Sequence, residues 1–175
     1  MSIKPKFWNA DKIVSFSAIL ISLATMAIYL YQTHLIQKQQ HASVMPYLRM
    51  GYSHDEDRFE MIVFNEGLGP AFIEEINVYN GKKKYANMDI PSYFQSEYLK
   101  KDTIYMTYAN VGIGMLFAAG KDITMISKLK SVEDTKKLKK IFFQENLEME
   151  IVYTSIYGDK WKVRGAFTRP TKIED

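Results

Sequence analysis

The chain contains no cysteine among its 175 residues, and this absence excludes disulfide bridges, thiol catalysis and the usual zinc sites. The net charge of +3 is too small to indicate nucleic-acid binding by itself. Two short segments resemble binding loops but do not match them. Residues 55–57 are too compact for a calcium loop, and residues 112–114 lack the third glycine of a phosphate loop. We therefore predict neither a metal site nor a cofactor.

Charged side chains are also absent from a long stretch near the N-terminus, residues 13–37. Its strongly apolar part, residues 13–31, is close to the ~20 residues that a helix needs to cross a bilayer core. Residues 22–24 resemble a signal-peptide cleavage site. However, the apolar run continues through Leu30, where a cleaved precursor would turn polar. The pattern favours a retained transmembrane helix.

The helical pattern does not stop at the membrane edge. Residues 32–45 contain no glycine or proline until Pro46 interrupts them. A helix that starts after Asn9, a suitable N-cap, would run for ~35 residues, or ~50 Å. We therefore divide the chain into residues 1–45, which hold this helix and its polar extension, and residues 46–175, a separate domain.

Small and hydroxyl-bearing residues recur along the predicted helix at alternating spacings of three and four. These positions share one stripe of a helix: Ser15, Ala18, Ser22, Thr25, Tyr29 and Gln32. Such residues let helices approach closely, so this polar stripe predicts a seam for self-association, and in a ring of copies it would line a narrow channel. The alternative is that the hydroxyl groups only bond back to carbonyls of their own helix.

The remainder of the chain predicts a mainly β, sandwich-like α+β domain. Extended segments are expected at residues 46–53, 58–65, 72–79, 103–108, 122–130, 147–155 and 161–167. Asn80 and Gly81 indicate a hairpin, and the motif NEGLGPA at residues 65–71 indicates a tight connection. Two helical insertions are expected, at residues 91–101 after Asp89 and at residues 131–144 after a capping-box pattern.

Arg49 and His54 match the R-x4-H pattern of HEPN-type ribonucleases, in which histidine acts as acid–base and arginine stabilises phosphate charge. HEPN domains are helical, whereas this segment follows Pro46, contains Gly51 and alternates like a strand. On a strand the two side chains would point to opposite faces, ~16 Å apart. We predict that the protein is not an enzyme, with a membrane-bound ribonuclease as the alternative.

Four lysines crowd the predicted helix at residues 131–144: Lys136, Lys137, Lys139 and Lys140. Val132, Leu138, Ile141 and Phe142 are expected to form its apolar side. The lysines could contact anionic lipid headgroups or an RNA backbone. The alternative is a solvated face opposite the core.

One N-terminal transmembrane helix, a β-rich domain and the R-x4-H match at Arg49 and His54 together resemble the small membrane accessory protein of type VI-B CRISPR systems. The resemblance implies a ring-shaped homo-oligomeric pore that depolarises the bacterial inner membrane. It would support an RNA-guided, RNA-cleaving effector in antiviral defence, without binding nucleic acid directly. The alternative function is a membrane-tethered β-sandwich that binds a protein partner and conducts nothing. Separately, the motif at residues 65–71 is similar to one found in many uncharacterised bacterial membrane-anchored β-domains, and implies no function.

The membrane orientation follows from two conflicting indications. Lys4, Lys6 and Lys12 precede the helix, whereas only Lys38 and Arg49 follow it closely. The positive-inside rule therefore places the N-terminus in the cytoplasm and the β-domain outside. The resemblance implies a cytoplasmic β-domain, and we adopt that side.

Overall fold

The computed structural model describes residues 9–98, 106–128, 130–144 and 146–174. The chain divides into two units, Met1–Ala42 and Ser43–Asp175. A single helix, α1 (Ala10–Ser43), dominates the first unit, and none of its residues is buried. Asn9 immediately precedes α1, and its carbonyl accepts hydrogen bonds from the amides of Lys12 and Ile13 at 3.0 and 3.2 Å. The prediction of one long N-terminal helix is confirmed.

The boundary between the units differs slightly from the expected one after residue 45. Helix α1 ends at Ser43, and residues 44–47 belong to the second unit. The physical reason is that the backbone of Met45 accepts hydrogen bonds from the amides of Leu68 and Gly69 at 3.1 and 3.4 Å. These contacts draw the chain away from a helical path before Pro46 is reached.

The second unit, hereafter the β-domain, contains ten strands and two helices among its described residues. In chain order they are β1 (Leu48–His54), β2 (Phe59–Asn65), β3 (Ala71–Asn80), β4 (Lys83–Ala86), α2 (Ile90–Glu97), β5 (Thr107–Tyr108), β6 (Leu116–Phe117), β7 (Asp122–Lys128), α3 (Val132–Gln144), β8 (Leu147–Thr154), β9 (Lys160–Arg164) and β10 (Thr171–Lys172). The mainly β, α+β fold class is confirmed.

The strands form two antiparallel sheets. One sheet has the order β1-β2-β7-β5, and the other has the order β10-β9-β8-β3-β4, with β6 paired to the start of β3. The β3–β4 hairpin turns at Gly81, where the sequence predicted it, and Gly81 adopts a positive φ of 57° that suits glycine. The β8–β9 hairpin turns around Gly158, between the extended segments that the sequence predicts at residues 147–155 and 161–167.

A single hydrophobic core lies between the sheets and beneath the two helices. Strand β2 shows how it is built, because Phe59, Met61 and Val63 are buried while the residues between them are only half-buried. Both sheets and both helices contribute to the same cluster, among others Met50, Ile73, Phe94, Met125, Leu138, Ile151 and Val163. This packing makes the β-domain sandwich-like, as expected.

Both predicted helical insertions are present. Helix α2 begins after Asp89, whose carboxylate accepts a hydrogen bond from the amide of Ser92 at 3.0 Å. Helix α3 begins after Ser131, whose hydroxyl accepts one from the amide of Asp134 at 3.3 Å. Val132 was expected on the apolar side of α3 but is 45% exposed, because it lies in the first turn, ahead of the buried stripe.

Other boundaries shift by a few residues. The first strand begins at Leu48 rather than at Pro46, since residues 44–47 are bound to the turn that follows β2. The end of the predicted helix at residues 91–101 and the start of the predicted strand at residues 103–108 lie outside the described residues, as does Leu129 within the segment 122–130. Strand β4 is the second arm of the predicted hairpin, whereas strands β6 and β10 are not predicted by the sequence.

Candidate functional site

Helix α1 is long enough and apolar enough to cross a membrane, and it is the feature that most constrains function. Its large apolar side chains are exposed around the helix, for example Ile19 at 60% and Leu30 at 63%. Such a surface is not covered by any other part of the described chain. It therefore requires an apolar environment or another protein surface.

The polar stripe of α1 carries hydroxyl groups that are already bonded within the helix. Ser15 Oγ donates to the carbonyl of Asp11, Ser22 Oγ to that of Ala18, and Thr25 Oγ1 to that of Ile21, each at 2.8 Å. A hydroxyl that satisfies its donor in this way can enter hydrocarbon without an external partner. Its oxygen keeps acceptor capacity, so the bonds are compatible with a lone anchor and with a helix–helix seam.

Asn65 organises the segment that follows α1. Its side-chain oxygen accepts hydrogen bonds from the amides of Tyr47 and Gly67, both at 3.1 Å. Its amide nitrogen donates to the carbonyls of Gly69 and Phe117 at 2.9 and 3.1 Å. Asn65 is almost fully buried, so these bonds replace water for backbone groups of three separate segments.

Two glycines complete this arrangement through close backbone contact. A Cβ on Gly69 would lie 1.6 Å from the carbonyl oxygen of Val44, and a Cβ on Gly67 would lie 2.4 Å from that of Met45. No side chain fits in either place. We call Asn65, Gly67, Gly69 and residues 44–47 the clamp, since together they fasten the first residues of the β-domain to the turn that follows β2.

A buried tyrosine supports the clamp from the opposite sheet. Tyr153 on β8 accepts a hydrogen bond at its hydroxyl from the amide of Leu48, at 3.2 Å. Burial raises the pKa of Tyr153 to about 12, so the hydroxyl stays protonated across the physiological range. The start of β1 is thereby tied to both sheets.

The R-x4-H pair lies on strand β1, as the sequence reasoning expected, and each member has its own neighbour. Arg49 forms an ion pair with Glu66, Nη1 to Oε1 at 3.1 Å. The His54 ring contacts the ring of Phe143, with centroids 5.6 Å apart. Five residues apart on one strand, the two side chains point to opposite faces. The geometry does not bring them together on one phosphate.

The four lysines of α3 do not form one free basic face. Lys139 Nζ donates to the carbonyl of Asp55 at 2.7 Å, and Lys137 pairs with Glu133 at 3.4 Å. Lys136 and Lys140 are exposed. Two of the four candidates are thus engaged within the domain, which reduces the charge available to a lipid or nucleic-acid surface.

An open cleft of about 510 Å³ lies between α2 and the segment before β6. Asp89 sits at its base, but both carboxylate oxygens are occupied, since they accept hydrogen bonds from Asn110, Ser92 and Val111 at 2.9–3.1 Å. The carboxylate therefore fastens α2 to the following loop. Within the described residues, no group of three or more histidine, aspartate or glutamate side chains is arranged to hold a metal ion.

Comparison with known proteins gives no relative: no family model, no curated protein and no solved structure matches this chain. The resemblance to the CRISPR accessory family stays a prediction. The structural role of Asn65 does not follow from local sequence signals, which mark this residue only as the start of a tight connection. The signal was present in the motif NEGLGPA, in which a buried asparagine precedes two glycines that tolerate no side chain.

Proposed function

We propose that this protein is a membrane-tethered interaction module, in which α1 is the anchor and the β-domain binds a protein partner. The observation that carries this proposal is the contrast between α1, whose large apolar side chains are exposed, and the β-domain, which buries a hydrophobic core of its own.

An anchored module of this kind keeps its binding surface at the membrane, where confinement raises its effective concentration toward a partner in the same membrane. Arg49 and His54 receive no catalytic role in this proposal, because their side chains point to opposite faces of β1.

Helix replacement tests the proposal. In the full-length chain, residues 13–31 are exchanged for an unrelated single-pass helix of equal length, and a photo-cross-linking residue is placed at an exposed β-domain position such as Lys84. The same cross-linked partner is expected from both chains in membranes. Loss of that partner only in the exchanged chain would assign the interaction to α1 and contradict the module.

An oligomeric pore is the second candidate, and the polar stripe of α1 is the observation that favours it. Parallel copies that met along this stripe would place Ser22 and Thr25 near a common axis, as a channel lining requires. The resemblance supplies the biological setting: a ring in the bacterial inner membrane that depolarises it as an accessory of an RNA-guided effector, with the β-domains as a cytoplasmic collar.

The oligomeric mass in mild detergent, with the detergent contribution subtracted, separates the two candidates. A closed assembly of about six or more copies would support the pore. Reconstituted vesicles would then leak, and Ser22→Leu with Thr25→Leu would reduce both mass and leakage. A monomer or dimer without leakage would eliminate the pore and leave the interaction module.

A further inference from the structure

Strand β1 lies at the edge of its sheet. The order β1-β2-β7-β5 gives it one neighbouring strand, β2, on one side. In an antiparallel pair, alternate residues direct both of their backbone groups away from the neighbouring strand. The amide of Leu48 and the carbonyl of Met50 both bond to groups outside β2, so these two residues belong to the outward set. Tyr52 and His54 continue the outward set at the same two-residue spacing.

The first part of this edge is covered, whereas its last part is open. The amide of Phe167 donates to the carbonyl of Met50 at 2.8 Å. Beyond that bond, no group within the described ranges of the chain bonds to the outward N–H and C=O of Tyr52 or to the outward N–H of His54. Unpaired edge groups of this kind are a template for a further strand.

Aromatic rings surround the open part of the edge, and their contacts are direct. The ring centroid of Tyr52 lies 5.5 Å from that of Phe143 and 6.3 Å from that of Phe167. Phe143 is 47% exposed and Phe167 is 62% exposed. Tyr52 also contacts the buried rings of Phe59 and Phe142, at 5.8 and 5.2 Å. The exposed rings therefore extend the core and are pre-organised for binding. We call the open backbone of residues 52–54, with the rings of Tyr52, Phe143 and Phe167, the aromatic edge.

Phe167 holds its exposed position with a strained backbone. Its φ of 59° lies in the left-handed region, which is unfavourable for a bulky aromatic residue. Gly51 leaves room for the ring, because a Cβ at Gly51 would lie 3.3 Å from Phe167 Cε1. The ring nevertheless remains mostly exposed, so burial does not offset the strain. Strained residues of this kind cluster at binding and catalytic sites.

An extended backbone is the chemistry that fits the aromatic edge. The unpaired N–H and C=O groups match the C=O and N–H groups of an added strand, and the exposed rings can receive its apolar side chains. A second copy of β1 fits poorly. If two copies paired in antiparallel fashion about Tyr52, His54 of each would lie opposite Met50 of the other, whose carbonyl is already bonded to Phe167. A short peptide avoids this obstacle, since it pairs with residues 52–54 and then leaves the edge.

We propose that the aromatic edge binds, by strand addition, an extended peptide segment that carries a large apolar side chain. The inference rests on the proposed function and names the surface with which the β-domain recognises its protein partner. The open stretch offers few backbone bonds, so contacts with the aromatic rings supply much of the affinity. The partner is therefore recognised through a short linear segment rather than through a folded surface.

Selection from a pool of random heptapeptides tests the proposal. The full-length chain in lipid nanodiscs is incubated with the pool, and empty nanodiscs remove peptides that bind lipid. Peptides with a large apolar residue are expected to be enriched. Methylation of alternate backbone nitrogens in an enriched peptide is expected to weaken its binding at least about tenfold, because it removes the donors that pair with the edge.

Two variants remove the exposed rings one at a time. Phe167→Gly is expected to retain the melting temperature of the wild type, since glycine adopts a positive φ without strain, and to lose at least about tenfold in peptide affinity. Phe143→Ser is expected to show a similar loss without altering the turn that contains Phe167. Ile156→Ser is the control, because it removes an apolar side chain that is 59% exposed in the β8–β9 turn, and its peptide affinity should be unchanged.

Four outcomes would overturn the inference. No enrichment over empty nanodiscs would show that the edge binds no peptide. Binding that tolerates N-methylation would exclude strand addition. Unchanged affinity in both Phe167→Gly and Phe143→Ser would place the peptide elsewhere. Cross-links between two copies from a photo-reactive phenylalanine at position 143 would assign the edge to self-association.

Cross-linking from Lys84 in native membranes keeps the proposed function separate. A partner captured equally by the wild type and by Phe167→Gly would leave the interaction module intact and would refute the aromatic edge as its binding surface. Loss of that partner on exchange of α1 would contradict the module, whatever the result of the peptide selection.

Discussion

Helix α1 and the β-domain deal with apolar surface in opposite ways. The β-domain buries its large side chains in one core shared by two sheets and two helices, where residues such as Phe59 and Ile151 are fully inaccessible. Helix α1 buries none of its residues, although it is the most apolar part of the chain. The β-domain therefore specifies its own fold, whereas α1 depends on what surrounds it.

Separating the β-domain from α1 gives the most severe test of this difference in how the two regions bury apolar surface. A chain of residues 43–175 retains the clamp, and we expect it to be soluble without detergent and to unfold in a single cooperative transition. The full-length chain should sediment with membranes and aggregate when detergent is removed. Sedimentation and thermal melting by circular dichroism measure both properties. Failure of residues 43–175 to melt cooperatively would mean that the β-domain core is not self-sufficient.

The clamp gives the next largest effect. We expect Gly69→Ala to destabilise the β-domain by about 3 kcal/mol or more, because its Cβ would lie 1.6 Å from the carbonyl oxygen of Val44 and the backbone would have to move. Gly112→Ala is the matched control, since a Cβ there meets nothing within 4 Å. Urea unfolding of both variants in residues 43–175 gives the comparison. Equal stability of the two would show that residues 44–47 detach without cost.

The parts of the fold that the sequence predicted correctly depend on local signals. The continuous helix followed from an apolar run without glycine or proline, and the start of α2 followed from Asp89 and the proline after it. The hairpin at Gly81 followed from a short turn motif. In each case neighbouring residues determine the backbone, so no knowledge of distant contacts is needed.

The parts that were missed depend on contacts between distant segments. Strand β6 is two residues long and exists because Leu116 and Phe117 pair with the start of β3. Asn65 bonds to residues on both sides of it and to Phe117, 52 positions away. Its motif marked a turn, but only the assembled domain shows that the turn holds the segment after α1. The register that sets Phe72 opposite Leu116 is likewise invisible to local patterns.

The smallest predicted effect concerns an ion pair that lies wholly within the β-domain. Lys128 on β7 binds Asp134 on α3 at 2.8 Å, with both side chains largely buried. The hydrogen bond from Lys128 is the main cause that holds the pKa of Asp134 below its usual value of 3.8. Because the pKa of Asp134 is lower in the folded state than in the unfolded state, ionised Asp134 stabilises the fold. This stabilisation is complete above pH 3.8 and is lost as the pH falls through the lower folded-state pKa.

We therefore expect Lys128→Met to destabilise the β-domain by about 1 kcal/mol at pH 7, and the difference from wild type to shrink below the usual pKa of aspartate. Lys136→Met is the control, because it removes an exposed lysine from α3 without touching the pair. Urea unfolding between pH 7 and pH 3 measures the effect. The full-length chain in detergent and residues 43–175 should show the same pH dependence, since α1 contributes nothing to this pair. A different dependence in the full-length chain would show that α1 and its surroundings influence the stability of the β-domain, and the two regions would no longer be independent.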